Sequence, residues 1–442
     1  MDKKTIGPIL RRERKKQKLT IEEVVKNLSF EATTLSNLER GFTNVTDEKY
    51  IEYATLLGIE EELFGIVSEE KRKERTRRRR LKQIEYIASI VPEKALKYLE
   101  DIHQEISSNE NSSLSPPIYY LKGICYFKQK EWKLSEEHFL TAIEITDHFE
   151  ELEKSNIKSA SYNYLSAICY LHKNDLVKAL EYTDKGIDQF DIEGDRLNQY
   201  YLLLLNKPTY LEEMNENEKA LQSLRTLEKK LLDSKNTDIF HNIRTSTIIQ
   251  MHTMYAIIYK NLGFYEEALS HANDGIHIAW INKKYDQLFS LWTTVGMIYY
   301  SLGDTVRAKS HYQLALDIEH EVKNEKRLSY TFTNLSEMLL YERRMKKSKK
   351  FATRAVEISK KGPRKLLYVQ SLLSLGKWHL AQNEFQNALS ILLEAEKLAV
   401  KHQFKKEEET IVTLIGTCYK QLNDQGNFIK YLEKLYDLHY TL

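Results

Sequence analysis

The amino-acid sequence predicts an all-α protein, a small N-terminal helical domain followed by a long stack of helical hairpins. Three observations carry this. Glycine and proline are scarce, 15 and 6 residues in a chain of 442, too few for the turns of a β-rich protein of this length. The 28 tyrosines fall mostly at helix-like spacing. From residue 76 onward the chain repeats itself, with first positions 40 residues apart over its C-terminal half. We expect a domain over residues 1–66, a basic linker helix over 67–82 and a repeat domain over 83–442.

Charge follows the same division. Residues 1–82 hold 20 Lys+Arg against 15 Asp+Glu, and the remainder 46 against 49. A basic head on a slightly acidic body places any nucleic acid at the N-terminal end. No apolar run approaches the roughly 18 residues that cross a bilayer. Met1-Asp2-Lys3-Lys4 is followed by no apolar stretch of the secretory kind. A cytoplasmic protein without a membrane partner is expected.

The first elements can be placed in order. Ile6, Ile9 and Leu10 form one side of a basic helix that carries Arg11, Arg12, Lys15 and Lys16 elsewhere. Thr20 and Glu23 read as a capping box that starts a second helix, with Val24, Val25 and Leu28 on it. Ala32 to Arg40 makes a third helix, with Leu35 and Leu38 inward and Gly41 as its C-cap. Asp47 to Leu57 supplies a fourth, and Leu63 and Phe64 close a small core.

The run from Ile6 to Phe64 resembles the lambda-repressor-type (XRE) helix-turn-helix, most recognisably at Leu35-Ser36-Asn37-Leu38-Glu39-Arg40-Gly41. In such a domain the third helix enters the major groove of double-stranded DNA. The resemblance implies that Ala32, Thr33, Thr34, Ser36 and Asn37 face bases. It places Arg11, Arg40, Thr43 and Asn44 on phosphates, and it joins Arg14 to Glu39 by a salt bridge. Ile21, Val25, Ser29 and Glu31 depart from the family pattern, where Gln, Ala, Gly and a capping Ser or Thr are usual. The bland alternative is a small helical domain that has lost DNA binding. In the linker, the run Arg77-Arg78-Arg79-Arg80 could lie along flanking phosphates. The alternative there is a solvated connecting helix balanced by Glu69, Glu70 and Glu74.

The repeat aligns on a small residue followed by a large one three places on, then an Ala-rich second helix. Ala256, Gly296, Ser336, Gly376 and Gly416 mark five copies. Looser copies carry Gly123 and Ala167, a further one centres on Asn206 to Ala220, and a degenerate first one includes Ala95. About nine hairpins result. The pattern is similar to the tetratricopeptide repeat, lengthened from its usual period of about 34. That implies a right-handed tetratricopeptide-type α-solenoid with a concave face. Cys125, Cys169 and Cys418 fall in one slot of three copies, two places after the small residue, so they read as core rather than zinc ligands. No metal site and no cofactor are expected.

In peptide-binding members of the repeat family, inward residues stand two, three and six places before the small residue and one after it. Carried over, these positions are Tyr164, Gln250, Thr253, Thr293, Thr294, Tyr330, Thr333, Asn334, Gln370 and Lys377, with Tyr120, Glu337, Ser374 and Thr413 beside them and Asn206 from the irregular copy. This face is polar and largely uncharged, suited to the backbone of an extended peptide. The alternative is a hydrated channel.

A helix-turn-helix joined to nine long hairpins resembles the RRNPP regulators, in layout the NprR and PlcR type, with DNA-free Rap proteins as relatives. The resemblance implies a quorum-sensing transcription regulator, a homodimer or higher oligomer on operator DNA, switched by a short linear signalling peptide. A Rap-like regulator that sequesters a protein partner is the second reading, with Gln83 and Glu85 in the relevant neighbourhood. A scaffold whose groove is filled by its own C-terminal helix, Asn427 to Leu442, is the third. No GxGxxG, GxxxxGK[ST], HExxH or GxSxG occurs, and His311 and His320 lack ligand-spaced carboxylates, so an enzyme is not expected.

Overall fold

The computed structural model describes residues 2–64, 69–106, 112–233 and 241–440, and all regular structure among them is helical. Two compact units result, Met1–Ile84 and Glu85–Leu442. The expected boundary at residues 66 and 67 lies outside the described residues.

The first unit contains Lys3–Lys16 (α1), Ile21–Val25 (α2), Ala32–Glu39 (α3), Asp47–Leu56 (α4) and Glu60–Phe64 (α5). The capping box forms as expected: Thr20 Oγ1 accepts from the Glu23 N–H at 3.2 Å and the Thr20 N–H donates to Glu23 Oε2 at 2.7 Å. Leu10, Val24, Leu35, Leu38, Tyr50 and Tyr53 are buried together. Helices α1 and α3 meet backbone to backbone, because a Cβ on Gly7 would sit 2.3 Å from the Leu38 carbonyl oxygen. Gly41, at φ +77°, ends α3 as the predicted cap. Ser29, which departs from the helix-turn-helix pattern, is held by Glu52 of α4 through its N–H and its hydroxyl, both at 2.6 Å.

The pair predicted to tie α1 to α3 is present and buried. Arg14 grips Glu39 with Nε to Oε1 at 2.6 Å and Nη2 to Oε2 at 2.9 Å, and the Tyr53 hydroxyl donates to the same carboxylate at 2.8 Å. Burial pushes the Glu39 carboxyl up, yet the hydrogen bonds from Arg14 and Tyr53 outweigh it and hold it below the usual carboxylate range.

Glu69–Ala88 (α6) crosses from one unit to the other, with Leu81, Ile84 and Ala88 buried. In Pro92–Ile106 (α7), Ala95, Leu99 and Ile102 are buried, which is the expected degenerate first copy. Eight complete hairpins follow among the described residues. They are Ser115–Gln129 with Trp132–Thr146 (α8, α9), Ile157–Ile168 with Leu176–Asp188 (α10, α11) and Leu197–Glu213 with Asn217–Asp233 (α12, α13). Next come His241–Leu262 with Tyr265–Ile281 (α14, α15), Tyr285–Ser301 with Thr305–Asp317 (α16, α17) and Glu325–Tyr341 with Met345–Lys361 (α18, α19). Lys365–Ala381 with Phe385–Lys401 (α20, α21) and Lys405–Gln421 with Gln425–Tyr440 (α22, α23) complete the array.

One local contact recurs along the array. In three hairpins a glycine of the first helix faces a side chain sixteen places later in the second, whereas Gly416 of the last hairpin meets Tyr431, fifteen places on. A Cβ on Gly123 would lie 2.7 Å from the Phe139 ring, on Gly296 3.1 Å from Tyr312, and on Gly376 2.7 Å from Leu392. Seven places after the small residue the chain turns through a left-handed residue: Lys130, Asn174, Asn215, Gly263, Gly303, Arg343, Asn383 and Asn423. The same spacing resolves the irregular copy. Ala220, Leu224 and Leu227 are fully buried, Asn215 takes the turn, and Pro208 therefore stands where a Gly, Ala or Ser stands elsewhere. Proline removes one ladder N–H from α12 at that point. Cys125, Cys169 and Cys418 are buried in their shared slot.

Two outcomes test these packing rules. Glu39→Gln should cost the first unit about 3 kcal/mol at neutral pH, as breaking a buried ion pair does. Because the folded carboxyl is held below its unfolded value, that stability is present above the ordinary carboxylate range and is lost as pH falls through it. Urea unfolding of wild type between pH 3 and 7 should show this loss, and E39Q should flatten it; parallel curves would refute the pair's role. Arg343 holds a left-handed conformation that glycine adopts without strain. Arg343→Gly should leave stability unchanged or raise it by up to about 1 kcal/mol, whereas Gly303→Arg should lower it, read as Tm.

Candidate ligand groove

Residues at helical spacing on one stripe face the same way. Five consecutive first helices, α12, α14, α16, α18 and α20, turn such stripes toward a common cavity of about 700 Å³. Leu202, Leu205, Asn206 and Thr209 enter from α12, and Gln250, Thr253 and Ile257 from α14. Thr293 and Thr294 enter from α16, Tyr330 from α18 and Gln370 from α20. Of the predicted peptide contacts, Asn206, Gln250, Thr253, Thr293, Thr294, Tyr330 and Gln370 are thus brought together.

Tyr164, Thr333, Asn334 and Lys377 are not. The Tyr164 ring stacks on Phe139 at 4.9 Å and meets Phe127 at 5.2 Å, so it fills an aromatic core in the early hairpins. Tyr120 is fully buried in the same cluster. Thr333 bonds the Ser329 carbonyl at 3.0 Å and Ser371 at 3.2 Å, and Asn334 donates to the Tyr330 carbonyl at 2.8 Å. Lys377 pairs with Glu337 at 2.7 Å between neighbouring helices. These side chains spend their polar groups on the scaffold.

Inside the cavity, polar groups are only partly occupied. Asn206 Nδ2 donates to Asn163 at 2.9 Å, which leaves its carbonyl oxygen without a partner among the described residues. Gln370 donates to Glu407 at 2.9 Å. Thr253 and Thr294 bond their own helix at 2.8 and 2.9 Å, while Thr293 reaches Thr331 at 2.8 Å. Tyr330 lines the cavity and keeps 36% of its surface accessible, and burial pushes its hydroxyl up to about 12.

Charge is divided across the cavity. Lys326 and Arg327 lie on one wall without a carboxylate ion pair among the described residues, and burial holds both below their usual ranges. Arg327 donates to the Asp286 carbonyl at 2.9 Å and to Ser290. On the other wall burial raises the Glu212 carboxyl.

The array also returns on itself. Arg364, in the turn before α20, pairs with Glu213 at the end of α12, 151 residues away, with side chains only 19% and 17% exposed. Tyr170 completes the clasp: its hydroxyl donates to Glu213 at 2.6 Å and its ring centroid lies 4.7 Å from the Arg364 guanidinium. Asn174 Nδ2 donates to the His402 carbonyl at 3.0 Å across 228 residues. No residue of α23 lines the cavity, so the C-terminal helix does not fill it. Residues 441 and 442, which close the predicted filling segment, lie outside the described residues. Glu85 is occupied by a two-point pair with Arg196, Nε to Oε1 at 3.0 Å and Nη2 to Oε2 at 2.8 Å, while Gln83 is exposed.

In the first unit, Ala32 and Thr33 are exposed on α3, with Thr34, Ser36 and Asn37 half-buried beside them. Arg11, Arg40, Thr43 and Asn44 are exposed as well. Arg11 reaches Glu39 at 3.8 Å with half of its side chain in solvent.

The second unit is a tetratricopeptide-type helical solenoid. The tetratricopeptide repeat family model matches residues 289–320 and 410–438. No curated protein matches the chain by sequence. Among solved structures, a Rap protein complexed with competence and sporulation factor is similar at a TM-score of 0.52 and 13% identity, over 82% of this chain and 97% of that one. The Rap conjugation gene regulator of the plasmid pLS20, in complex with the Phr* peptide, is similar at 0.52 and 12%, over 81% and 93%. NprR in complex with its cognate peptide NprX gives 0.46 and 14%, over 72% and 87%. Among the described residues no helix is long and apolar enough to cross a membrane.

Removing the clasp has a defined outcome. Arg364→Ala leaves the Glu213 carboxylate without its guanidinium, and a buried charge that loses its partner costs about 3 kcal/mol. Amide exchange in 174–176 and 403–405 should accelerate in R364A while α16 and α17 remain protected. Unchanged exchange in both turns would show that the clasp holds nothing closed.

Proposed function

We propose that the chain is a peptide-responsive transcription regulator of the RRNPP type. Residues 1–66 bind operator DNA, residues 67–82 form the basic connector, and residues 83–442 take a short linear signalling peptide and bring two copies together. The protein works in the cytoplasm on a peptide imported from outside. The carrying observation is the polar, incompletely satisfied stripe of Asn206, Gln250, Thr253 and Gln370 in one cavity. Side-chain amides and hydroxyls that offer donor and acceptor together suit the backbone of an extended peptide. The two Rap structures similar in fold are complexed with competence and sporulation factor and with the Phr* peptide, and we carry that use over to this groove.

The first unit supports the DNA half of the reading. The exposed Thr33 and half-buried Asn37 offer hydrogen-bonding groups at the start and middle of α3, the helix that would enter the major groove. Arg11, Arg40, Thr43 and Asn44 surround it at positions suited to phosphates. A peptide switches such a protein only through different affinity for two arrangements of the repeat domain. The clasped cavity gives those arrangements a physical basis, closed with Arg364 on Glu213 and open without it.

Gel shifts with DNA from upstream of the gene, with and without synthetic peptides encoded nearby, test both halves. Retardation should weaken steeply with salt, and Asn37→Ala should lower affinity for the specific site about tenfold. Asn206→Ala with Gln250→Ala should weaken peptide binding about tenfold or more by calorimetry, one lost hydrogen bond each, without changing DNA affinity in the absence of peptide. Peptide binding without any retardation would favour the Rap-like, protein-sequestering reading. Binding of neither would overturn the proposal.

A further inference from the structure

Outside the groove, α14 and α15 bring together two imidazoles and a carboxylate. His252 on α14 and His271 on α15 approach with Nδ1 to Nδ1 at 3.2 Å. Asp274 follows His271 by three residues, one turn along the same face. A ligating atom from each of the three lies within 4.8 Å of the others. Both histidines are half-buried, and Asp274 is exposed and makes no hydrogen bond or ion pair among the described residues.

We propose that His252, His271 and Asp274 form a binding site for a borderline divalent cation, with Zn²⁺ the best fit. Two nitrogens bound to tetrahedral zinc at about 2.0–2.1 Å stand about 3.3–3.4 Å apart, within a tenth or two of the spacing already present. A modest turn of the exposed Asp274 side chain brings its oxygen into the third position. Water takes the fourth, as in sites with three protein ligands. Two imidazoles select against Mg²⁺ and Ca²⁺, which prefer oxygen-rich shells.

The surroundings favour a cation between these rings. The His271 imidazole is stacked on Tyr255 at 4.4 Å and on Tyr259 at 5.5 Å, so its orientation is fixed before any ion arrives. Without a metal, two facing Nδ1 atoms need a proton shared between them. A metal ion replaces that proton and meets the unpaired carboxylate as well. Glu228, which accepts from the Tyr255 hydroxyl at 3.1 Å, adds a second negative charge nearby. The consequence lies next to the groove: α14 also carries Gln250 and Thr253 into the cavity, so a bound ion would staple the groove helix to its hairpin partner.

The test uses the full chain after chelator treatment. Calorimetric titration with Zn²⁺ should give one saturable site in the micromolar range or tighter. Co²⁺ substitution should give the visible absorption of a tetrahedral site. His252→Gln and His271→Gln should each weaken binding at least tenfold, and Asp274→Asn by less. Exposed Asp274 cannot unfold the chain when replaced, and the melting temperature of each metal-free variant guards against a folding defect. With saturating Zn²⁺ the wild-type Tm should rise and that of His271→Gln should not. A silent titration would mean a hydrogen-bonded histidine pair and nothing more. Equal affinity in wild type and His271→Gln would place the ion at another of the 13 histidines. Either result overturns the site.

Discussion

The structure of the second unit depends on how closely the two helices of each hairpin can approach. A Gly, Ala or Ser at one point of the first helix lets a ring or a branched side chain from the second lie directly over the backbone. Once that contact is set, the turn seven residues later has little freedom, and each hairpin meets the next in one register. The inward stripe of every first helix is a by-product of this contact. Its residues sit at fixed offsets from the small one, so five copies in a row align their polar groups along one wall. The groove is therefore inherited from packing, and its specificity is written in positions that packing leaves unconstrained.

Much of this was legible in the residues themselves. Thr20 and Glu23 cap a helix through atoms three residues apart, while the Arg14–Glu39 pair was implied only by the helix-turn-helix resemblance. The 40-residue spacing marked five of the small positions, and an offset of two from the small residue put the three cysteines in one slot. Legibility failed where local rules gave way to distance. Pro208 breaks the small-residue pattern, and only the buried Ala220, Leu224 and Leu227 reveal its register. Tyr164 stands at a groove offset, yet the rings of Phe127 and Phe139 draw it into a core, a matter of three helices together. Arg364 and Glu213 meet across 151 residues because of the accumulated rotation of the array, which a repeat period does not encode. His252 and His271 lie nineteen residues apart on the two helices of one hairpin, a separation that no ligand spacing along the sequence marks.

The cavity combines two electrostatic environments that water would ordinarily level. Lys326 and Arg327 are desolvated on α18 and Glu212 on α12, while Glu213 beside it is neutralised by Arg364. Separated charges in poorly solvated surroundings act at longer range than on an open surface. A guest with a positive and a negative end would be oriented by them, while the neutral threonines and amides between read its middle.

The three cysteines have a consequence beyond packing. Burial pushes the Cys125 thiol up to about 12 and those of Cys169 and Cys418 to about 11, so almost no thiolate exists at neutral pH in the folded chain. Oxidants and alkylating agents react with thiolate, so each sulfur is chemically silent until its own helix pair separates. With one near either end of the array and one in the α10–α11 hairpin, the chain carries three internal markers of local opening. The order in which a mild alkylator labels them would give the order in which the stack comes apart.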